Sequence, residues 1–128
     1  MLLLDTCALL WLVADQNKLS EAAKKAIENS DSGLFVSAIS AFEIAIKHRN
    51  KKLDLPLPPE KWFPAVLDFH GIHELPVSSN IAILSAHLPI HHNDPCDRII
   101  IASSKLHNMH IVTSDSLIKQ YSQIKVIW

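Results

Sequence analysis

The sequence predicts an α/β fold in which a central, mostly parallel sheet lies between two layers of helices. Three observations predict it. The 128-residue chain has the length of one ordinary domain, its apolar runs are short, and they alternate with segments of helical spacing. Such alternation is typical of parallel sheets, because parallel strands need long crossover connections. We therefore expect one domain over residues 1–128, and a hydrophobic content of 48% is ample for its core.

In the first half of the chain, strands are predicted at residues 2–4 and 34–36, and helices at 6–14, 20–29 and 40–52. Each strand is a short apolar run, and the first ends at Asp5, a residue type that caps helices. The segment SEAAKKAIEN consists mainly of strong helix formers, and Gly33 interrupts the chain after it. Ser40 is expected to open the helix that ends in the basic residues KHRNKK.

In the second half, strands are predicted at 74–77, 111–113 and 124–128, and helices at 60–69, 81–88, 98–107 and 117–121. Prolines 56, 58 and 59 form a short loop inside the domain, and the apolar residues that follow them have helical spacing. Pro89 ends one helix, and the apolar run after the charged segment HHNDPCD begins the next. The order of elements therefore continues to favour a parallel sheet.

Composition excludes several classes of protein. Twelve basic and thirteen acidic residues give no overall charge that would support or exclude nucleic-acid binding. Cys7 and Cys96 are too few for a disulfide framework, so we expect two small core residues in a reducing cytoplasm. The apolar N-terminus lacks the basic residues of a signal peptide, and Asp5 interrupts it. No other run reaches membrane-spanning length, so we expect a soluble cytoplasmic protein without a membrane partner.

Four acidic residues lie where the predicted strands and helices meet. Asp5 and Asp115 come directly after strands, Glu43 lies in the first turn of the helix after the second strand, and Asp97 begins the helix before the strand at 111–113. The carboxyl ends of parallel strands share one edge of the sheet, so the four acids can converge there. Clustered carboxylates repel one another and either protonate or hold a cation, and oxygen ligands suit Mg²⁺ or Mn²⁺.

Each of these acids also has a possible structural role. Asp5, Asp97 and Asp115 stand where helix caps stand, while Ser40 and Glu43 have the S-x-x-E spacing of a capping box. Helix capping alone does not require several acids at one edge of the sheet.

Other catalytic chemistries are excluded by missing motifs. Two glycines are too few for a P-loop or a dinucleotide fingerprint, and no nucleophile elbow is present.

The residues around the acids have competing interpretations. Arg98, next to Asp97, either grips a phosphate with its planar guanidinium or forms a surface ion pair. Metal ligation is one interpretation of His91 and His92, but the pair lacks the helical spacing of a zinc site, so a phosphate contact or an exposed loop position is expected instead. The basic residues at 47–52 either complement the end of a helix or contact a phosphate backbone.

Four segments carry a resemblance to a known family. LLLDT, VSAISAFEIAIK, HHNDPCDRIIIA and IVTSD resemble, in this order and approximate spacing, the successive motifs of PIN domains, closest to the VapC-type toxins of bacterial toxin–antitoxin pairs. The resemblance covers essentially the whole chain. It implies a PIN-like three-layer sandwich and a metal-dependent ribonuclease. The implied site residues are the acids Asp5, Glu43, Asp97 and Asp115 and the accompanying hydroxyl residues Thr6 and Thr113.

We therefore expect an endoribonuclease that hydrolyses RNA with Mg²⁺ or Mn²⁺ held by Asp5, Asp97 and Asp115. Glu43 is expected to complete the pocket, as a ligand, through water or as a general base. Substrate binding is assigned to Arg98, Thr6 and Thr113. The resemblance further implies tRNA or rRNA as the substrate, a cognate antitoxin and a homodimer.

Two alternatives remain open on the sequence alone. One is a non-catalytic RNA- or protein-binding module on the same fold, in which the acids serve only as caps and metal has no effect. The other is a phosphatase or phospho-receiver. That class needs adjacent or paired acids after the first strand, where Asp5-Thr6-Cys7 offers one.

Overall fold

The structure, a computed structural model that describes residues 1–31 and 33–128, has a parallel five-stranded sheet between helices. The strands are β1 (Leu2–Leu4), β2 (Leu34–Ser37), β3 (Ile72–Leu75), β4 (His110–Val112) and β5 (Val126–Ile127). The helices are α1 (Thr6–Ala14), α2 (Glu21–Glu28), α3 (Ala38–Arg49), α4 (Pro59–His70), α5 (Ser79–His87) and α6 (Pro95–His107). Short 3₁₀ turns lie at Gln16–Lys18 and Ile118–Gln120. The predicted α/β sandwich is confirmed.

Helix ends are set by capping side chains and by proline and glycine. Asp5 and Ser20 accept backbone N–H groups at the starts of α1 and α2, and so satisfy donors that have no partner within the helix. Helix α4 begins with Pro59, whose fixed φ suits the first helical position. It ends at Gly71, which adopts a left-handed φ of 64° that other residues rarely adopt. These caps fix where each helix enters and leaves the sheet.

Alternate residues of the strands point to opposite faces of the sheet and bury two separate apolar layers. On one face, Leu2 and Leu4 pack with apolar residues of α1, α2 and α4. On the other face, Leu3 and Ile111 pack with residues of α5 and α6. Both faces are therefore covered, as a parallel sheet requires. Within residues 1–31 and 33–128, no helix has the length and hydrophobicity needed to cross a bilayer.

The strand order β3-β2-β1-β4-β5 places a topological switch point beside β1. The chain moves from β1 outward through β2 to β3, and then returns to pair β4 with the other side of β1. Loops after β1 and β4 therefore diverge and leave a crevice at the carboxyl edge of the sheet, where ligands bind in such folds. Asp5 follows β1 directly, and Asp115 lies three residues after β4.

The observed elements differ from the predicted ones mainly at their ends. Helix α3 begins at Ala38 rather than Ser40, α6 at Pro95 rather than Arg98, and β3 two residues earlier than predicted. The helix predicted at 117–121 is only a 3₁₀ turn at Ile118–Gln120. The starts of α3 and α6 matter for function, because they determine which polar side chains cap the helices and which remain available for the candidate site.

Candidate active site

Asp5 is a buried carboxylate whose two oxygens are both held. Its Oδ1 accepts the N–H of Ala8 at 2.8 Å as the cap of α1, and its Oδ2 accepts the hydroxyl of Thr113. The residue is only 6% exposed, and this burial raises the pKa of Asp5, with further contributions from the nearby carboxylates of Asp115 and Glu43. The predicted capping role is thus present, and it also fixes the carboxylate at the sheet edge.

Thr113 links Asp5 to Asp115. While its hydroxyl donates to Asp5, its oxygen accepts the backbone N–H of Asp115 at 3.0 Å. The Oδ1 atom of Asp115 accepts the N–H of Leu117 at 2.8 Å, which fixes the turn after β4. Since Thr113 is fully buried and both roles of its hydroxyl are used, it positions the acids instead of contacting substrate as the sequence predicted.

Glu43 is held by a chain of hydroxyl groups. Thr6 Oγ1 donates to Glu43 Oε1 at 2.7 Å, so the 2.8 Å contact between Thr6 and Ser40 must be donated by Ser40. Thr6 is 2% exposed and Ser40 is fully buried. The predicted substrate contact of Thr6 is therefore corrected to a positioning role. Lys47 Nζ lies 3.6 Å from Glu43 Oε2 on the next turn of α3.

The capping box that the spacing of Ser40 and Glu43 allowed as an alternative does not form. Ser37 is the cap of α3, and its hydroxyl accepts the N–H of Ile39 at 3.1 Å. Glu43 consequently lies in the second turn, beyond reach of the helix start, and its carboxylate is free to serve the site. The capping alternative for Glu43 is thereby removed.

Asp97 contributes the fourth carboxylate from the first turn of α6. The cap of this helix is Asp94, which accepts the N–H of Cys96 at 2.8 Å, so Asp97 is not a cap. Its Oδ2 lies 3.0 Å from Nε2 of His92, and the same nitrogen lies 2.8 Å from Oδ2 of Asp115. His92 therefore bridges two of the predicted metal ligands.

The four acids form one electrostatic cluster. Burial raises the pKa of Asp97 to about 7, and the carboxylates of Asp94, Glu43 and Asp5 contribute, although His92 acts in the opposite direction. Because Asp5 in turn is affected by Asp115 and Glu43, each predicted acid acts on at least one of the others. The structure thus brings together all four acids that the sequence selected.

The raised pKa of Asp97 predicts how the stability of the metal-free protein depends on pH. The carboxyl has an ordinary pKa of 3.8 and a folded-state pKa of about 7, so between these values the folded state binds more protons than the unfolded state. The free energy of unfolding must then decrease as pH rises through this window. We expect the melting temperature in chelator to fall from pH 5 to pH 8, and to fall less in Asp97→Asn, as measured by circular dichroism. Equal slopes in the two proteins would contradict the assignment.

Arg98 follows Asp97 in sequence, and a phosphate contact or a surface ion pair was predicted for it. Its guanidinium instead donates hydrogen bonds to backbone carbonyl groups. Its Nη2 donates to the carbonyl groups of Ser85 and Leu88, both at 2.8 Å. Its Nη1 donates to the carbonyl groups of Pro89 and His92, both at 3.1 Å. All four hydrogens of the two terminal nitrogens are thus taken by carbonyl groups of the last turn of α5 and of the loop that follows it. The expected phosphate contact is corrected to a structural role.

The cysteines and the basic segment also differ in part from expectation. Cys7 is exposed and Cys96 partly so, and each lies in the first turn of its helix. They are therefore not the predicted core residues. Partial burial of the two thiols and the nearby acids raise the pKa of Cys7 and take the pKa of Cys96 to about 11, which leaves both as thiols rather than nucleophiles. Lys47, His48 and Arg49 lie in the last turn of α3, where cations are favoured.

His92 and its supports are functional candidates that sequence reasoning missed. His92 is buried rather than exposed, while His91 lies at the surface with its ring 5.0 Å from that of Tyr121. The Tyr121 hydroxyl accepts the N–H of His92 at 3.0 Å and donates to the carbonyl of Pro89 at 2.8 Å. The sequence offered one signal for this role, the pair of histidines shortly before Asp97. The pair did not show which of the two rings points toward the acids.

The structure is thus a parallel α/β sandwich with four acidic residues clustered at the carboxyl edge of its sheet. The chain matches the family model "PIN domain" over residues 2–123. The chain belongs to the PIN-domain family. It is 31% identical over 120 residues to Ribonuclease VapC22 of Mycobacterium tuberculosis (strain ATCC 25618 / H37Rv), an alignment that covers 93% of this chain and 90% of that protein.

Two solved structures are similar in fold. The crystal structure of DNA-bound VapBC from Salmonella typhimurium has a TM-score of 0.70 and 17% identity, and the match covers 98% of this chain and 95% of that chain. A toxin–antitoxin complex from Klebsiella pneumoniae has a TM-score of 0.65 and 21% identity, and the match covers 100% of this chain and 97% of that chain. These likenesses confirm the PIN-like fold predicted from the sequence.

Proposed function

We propose that this protein is a metal-dependent endoribonuclease and the toxin of a toxin–antitoxin pair. The observation that carries the proposal is the cluster of Asp5, Glu43, Asp97 and Asp115 at the switch point of a PIN-family sheet. Membership of the family and the similarity to Ribonuclease VapC22 support hydrolysis of RNA as the reaction. Convergent carboxylates at the crevice supply the ligands that such a reaction uses.

The donor set fits a hard divalent cation. Asp5, Asp97 and Asp115 offer carboxylate oxygens; hydrogen bonds to hydroxyl, amide or imidazole groups fix Asp5 and Asp115, and Asp97 lies 3.0 Å from the His92 imidazole. Burial and repulsion from the neighbouring carboxylates raise the pKa of Asp5 and of Asp97. A bound cation relieves the repulsion between the carboxylates. All-oxygen ligation favours Mg²⁺, with Mn²⁺ as the alternative.

The residues have separate tasks in the proposed reaction. Asp5, Asp97 and Asp115 hold the metal, which when bound lowers the pKa of a water molecule and stabilises charge on a phosphoryl oxygen. Glu43, held by the hydroxyl of Thr6, is placed to accept a proton as a general base. Lys47, beside Glu43, is placed to contact the phosphate backbone.

The partners follow from the same assignment. The neighbouring structures include VapBC and toxin–antitoxin complexes, which supports a cognate antitoxin as the partner of this chain. We further propose tRNA or rRNA as substrate, a homodimer, one domain over residues 1–128 and a cytoplasmic location. The free thiols of Cys7 and Cys96 support the reducing compartment.

The glutamine variant of Glu43 separates catalysis from packing. In Glu43→Gln the amide oxygen still accepts the Thr6 hydroxyl, so we expect the metal-free melting temperature to stay close to that of the wild type. RNA cleavage is expected to fall roughly a hundredfold, the scale for losing one general acid–base group. Single-turnover cleavage and a melting curve on the same preparation measure both quantities.

Glu28→Gln is the matched control, because Glu28 is exposed at the end of α2. It loses the same charge away from the site and should cleave like the wild type. Undiminished cleavage by Glu43→Gln would remove Glu43 from the catalytic group.

Sequencing of RNA 5′ ends after brief induction in cells tests the activity and the substrate together. We expect new 5′ ends at one or a few positions in tRNA or rRNA, absent after induction of Asp97→Asn. Growth arrest without new ends, or the same ends with Asp97→Asn, would favour the non-catalytic binding module.

A further inference from the structure

His92 lies in the loop between α5 and α6 and is held from several directions. Its backbone N–H donates to the Tyr121 hydroxyl at 3.0 Å, and its carbonyl accepts from Arg98 Nη1 at 3.1 Å. The backbone N–H of Asp94 donates to Nδ1 of the ring at 3.1 Å. Since the residue is only 9% exposed, the ring has a fixed orientation toward the acids.

The contact at Nδ1 determines where the ring proton lies. A backbone N–H can only donate, so Nδ1 is the acceptor and carries no proton. The proton must then be on Nε2, which lies 2.8 Å from Oδ2 of Asp115 and 3.0 Å from Oδ2 of Asp97. His92 is therefore a neutral ring whose single Nε2–H donates to Asp115, while Oδ2 of Asp97 lies beside the same N–H group. Metal ligation through Nε2 would need a lone pair on that nitrogen, which this tautomer does not have.

We propose that His92 is a positioning residue: its Nε2–H donates to Oδ2 of Asp115 and attracts Oδ2 of Asp97 beside it, so that the two carboxylates bind one cation. The inference rests on the proposed metal-dependent function and adds to it a residue that is not itself a ligand. Hydrogen bonds from such supporting residues orient metal ligands and set the affinity of a site.

A neutral imidazole suits this task for an electrostatic reason. Asp97 comes from α6 and Asp115 from the loop after β4, so two like charges from separate elements must be kept close together. A cationic lysine or arginine at the position of His92 would bring them together but would repel a metal ion. The Nε2–H donor keeps the oxygens together and adds no net charge.

The affinity of the metal-free full chain for Mn²⁺ tests the proposal, by isothermal titration calorimetry with melting curves on the same samples. We expect the wild type to bind Mn²⁺ and to melt higher in its presence. His92→Ala should bind at least roughly tenfold more weakly, as for other residues that support metal ligands. His92→Gln should recover part of the affinity, because a side-chain amide N–H can also donate to carboxylates. The control His91→Ala should match the wild type.

The possible outcomes separate this proposal from the proposed function. Wild-type affinity in His92→Ala would overturn the positioning role alone, and so would tighter binding, which would show that His92 competes with the cation. A wild type that binds no Mn²⁺ would overturn the metal-dependent function and the role of His92 together.

A measurement on the unmodified protein keeps the inference testable even where His92→Ala does not fold. Long-range ¹H–¹⁵N correlation spectra distinguish the two neutral tautomers of histidine. In metal-free protein we expect the His92 ring to carry its proton on Nε2 and to keep it there after Mg²⁺ is added. A proton on Nδ1 in either state would leave Nε2 with no hydrogen to donate to Asp115 and would overturn the proposal.

Discussion

Replacing Asp97 by asparagine is expected to lower RNA cleavage by roughly a thousandfold while leaving the fold intact. Metal stabilisation of transition-state charge is worth several kcal/mol, and each 1.36 kcal/mol corresponds to a factor of ten in rate. The neutral amide is a weaker ligand for a hard cation, but its oxygen can still occupy the position of the Asp97 Oδ2 beside the Nε2–H of His92. Because burial raises the pKa of Asp97 to about 7, the metal-free variant should melt higher than the wild type at pH 8.

Asp94→Asn is the matched control for this variant. Asparagine caps helices as well as aspartate does, so the start of α6 should be preserved while one negative charge three residues from Asp97 is lost. Cleavage should stay within a few-fold of the wild type. If the two variants lost activity equally, the general negative charge of the loop would matter and the specific ligand role of Asp97 would be contradicted.

Arg98→Ala is expected to reduce the free energy of unfolding by about 3 kcal/mol. The substitution removes hydrogen bonds to the carbonyl groups of Ser85, Leu88, Pro89 and His92. Charge-assisted hydrogen bonds contribute roughly 1.5–3 kcal/mol each where they are well buried, and this side chain is only partly buried. Arg98→Lys should restore a minor part, since an ammonium cannot reproduce the planar fork. Urea unfolding curves measure the change.

Lys105→Ala provides the comparison, because Lys105 is an exposed cation on the same helix. Its midpoint in urea should match that of the wild type. A midpoint equally unchanged in Arg98→Ala would mean that the loop between α5 and α6 does not depend on the guanidinium, and that Arg98 is free for the phosphate contact first predicted.

The four acids could be predicted because their positions depend on local rules. Short apolar runs mark buried strands, and polar residues directly after them must lie at the carboxyl edge of a parallel sheet. Asp5 and Asp115 follow from this rule alone. Glu43 and Asp97 lie on helices, and the prediction placed them correctly at the same edge even though the helix starts were two or three residues off.

The helix starts were misplaced for a common physical reason. Ser37 and Ser40, like Asp94 and Asp97, are residues of the same type three positions apart, and either member of each pair can cap a helix. The first member caps in both cases. The second is thereby released for the site, where Ser40 donates to Thr6 and Asp97 meets His92. Local preference cannot decide between such pairs, because tertiary contacts of the second residue make the choice.

The roles of His92 and Arg98 depend on contacts far along the chain. Tyr121 and Asp115 lie 29 and 23 residues from His92, and no periodicity relates them to it. Arg98 was assigned to phosphate because of its neighbour Asp97, yet on a helix consecutive residues point in different directions. A pattern of adjacent charges thus locates a site but does not show which side chains face it.

Single-turnover cleavage of RNA by the purified wild-type chain tests metal-dependent hydrolysis most directly. The substrate is an RNA cut after induction in cells, and the reaction is followed in Mg²⁺, in excess chelator, and in chelator followed by excess Mg²⁺. We predict cleavage at the same position in Mg²⁺, at least roughly a thousandfold slower cleavage in chelator, and recovery when Mg²⁺ is restored. Equal rates with Mg²⁺ and with chelator would contradict the proposal that Asp5, Asp97 and Asp115 act through a bound cation.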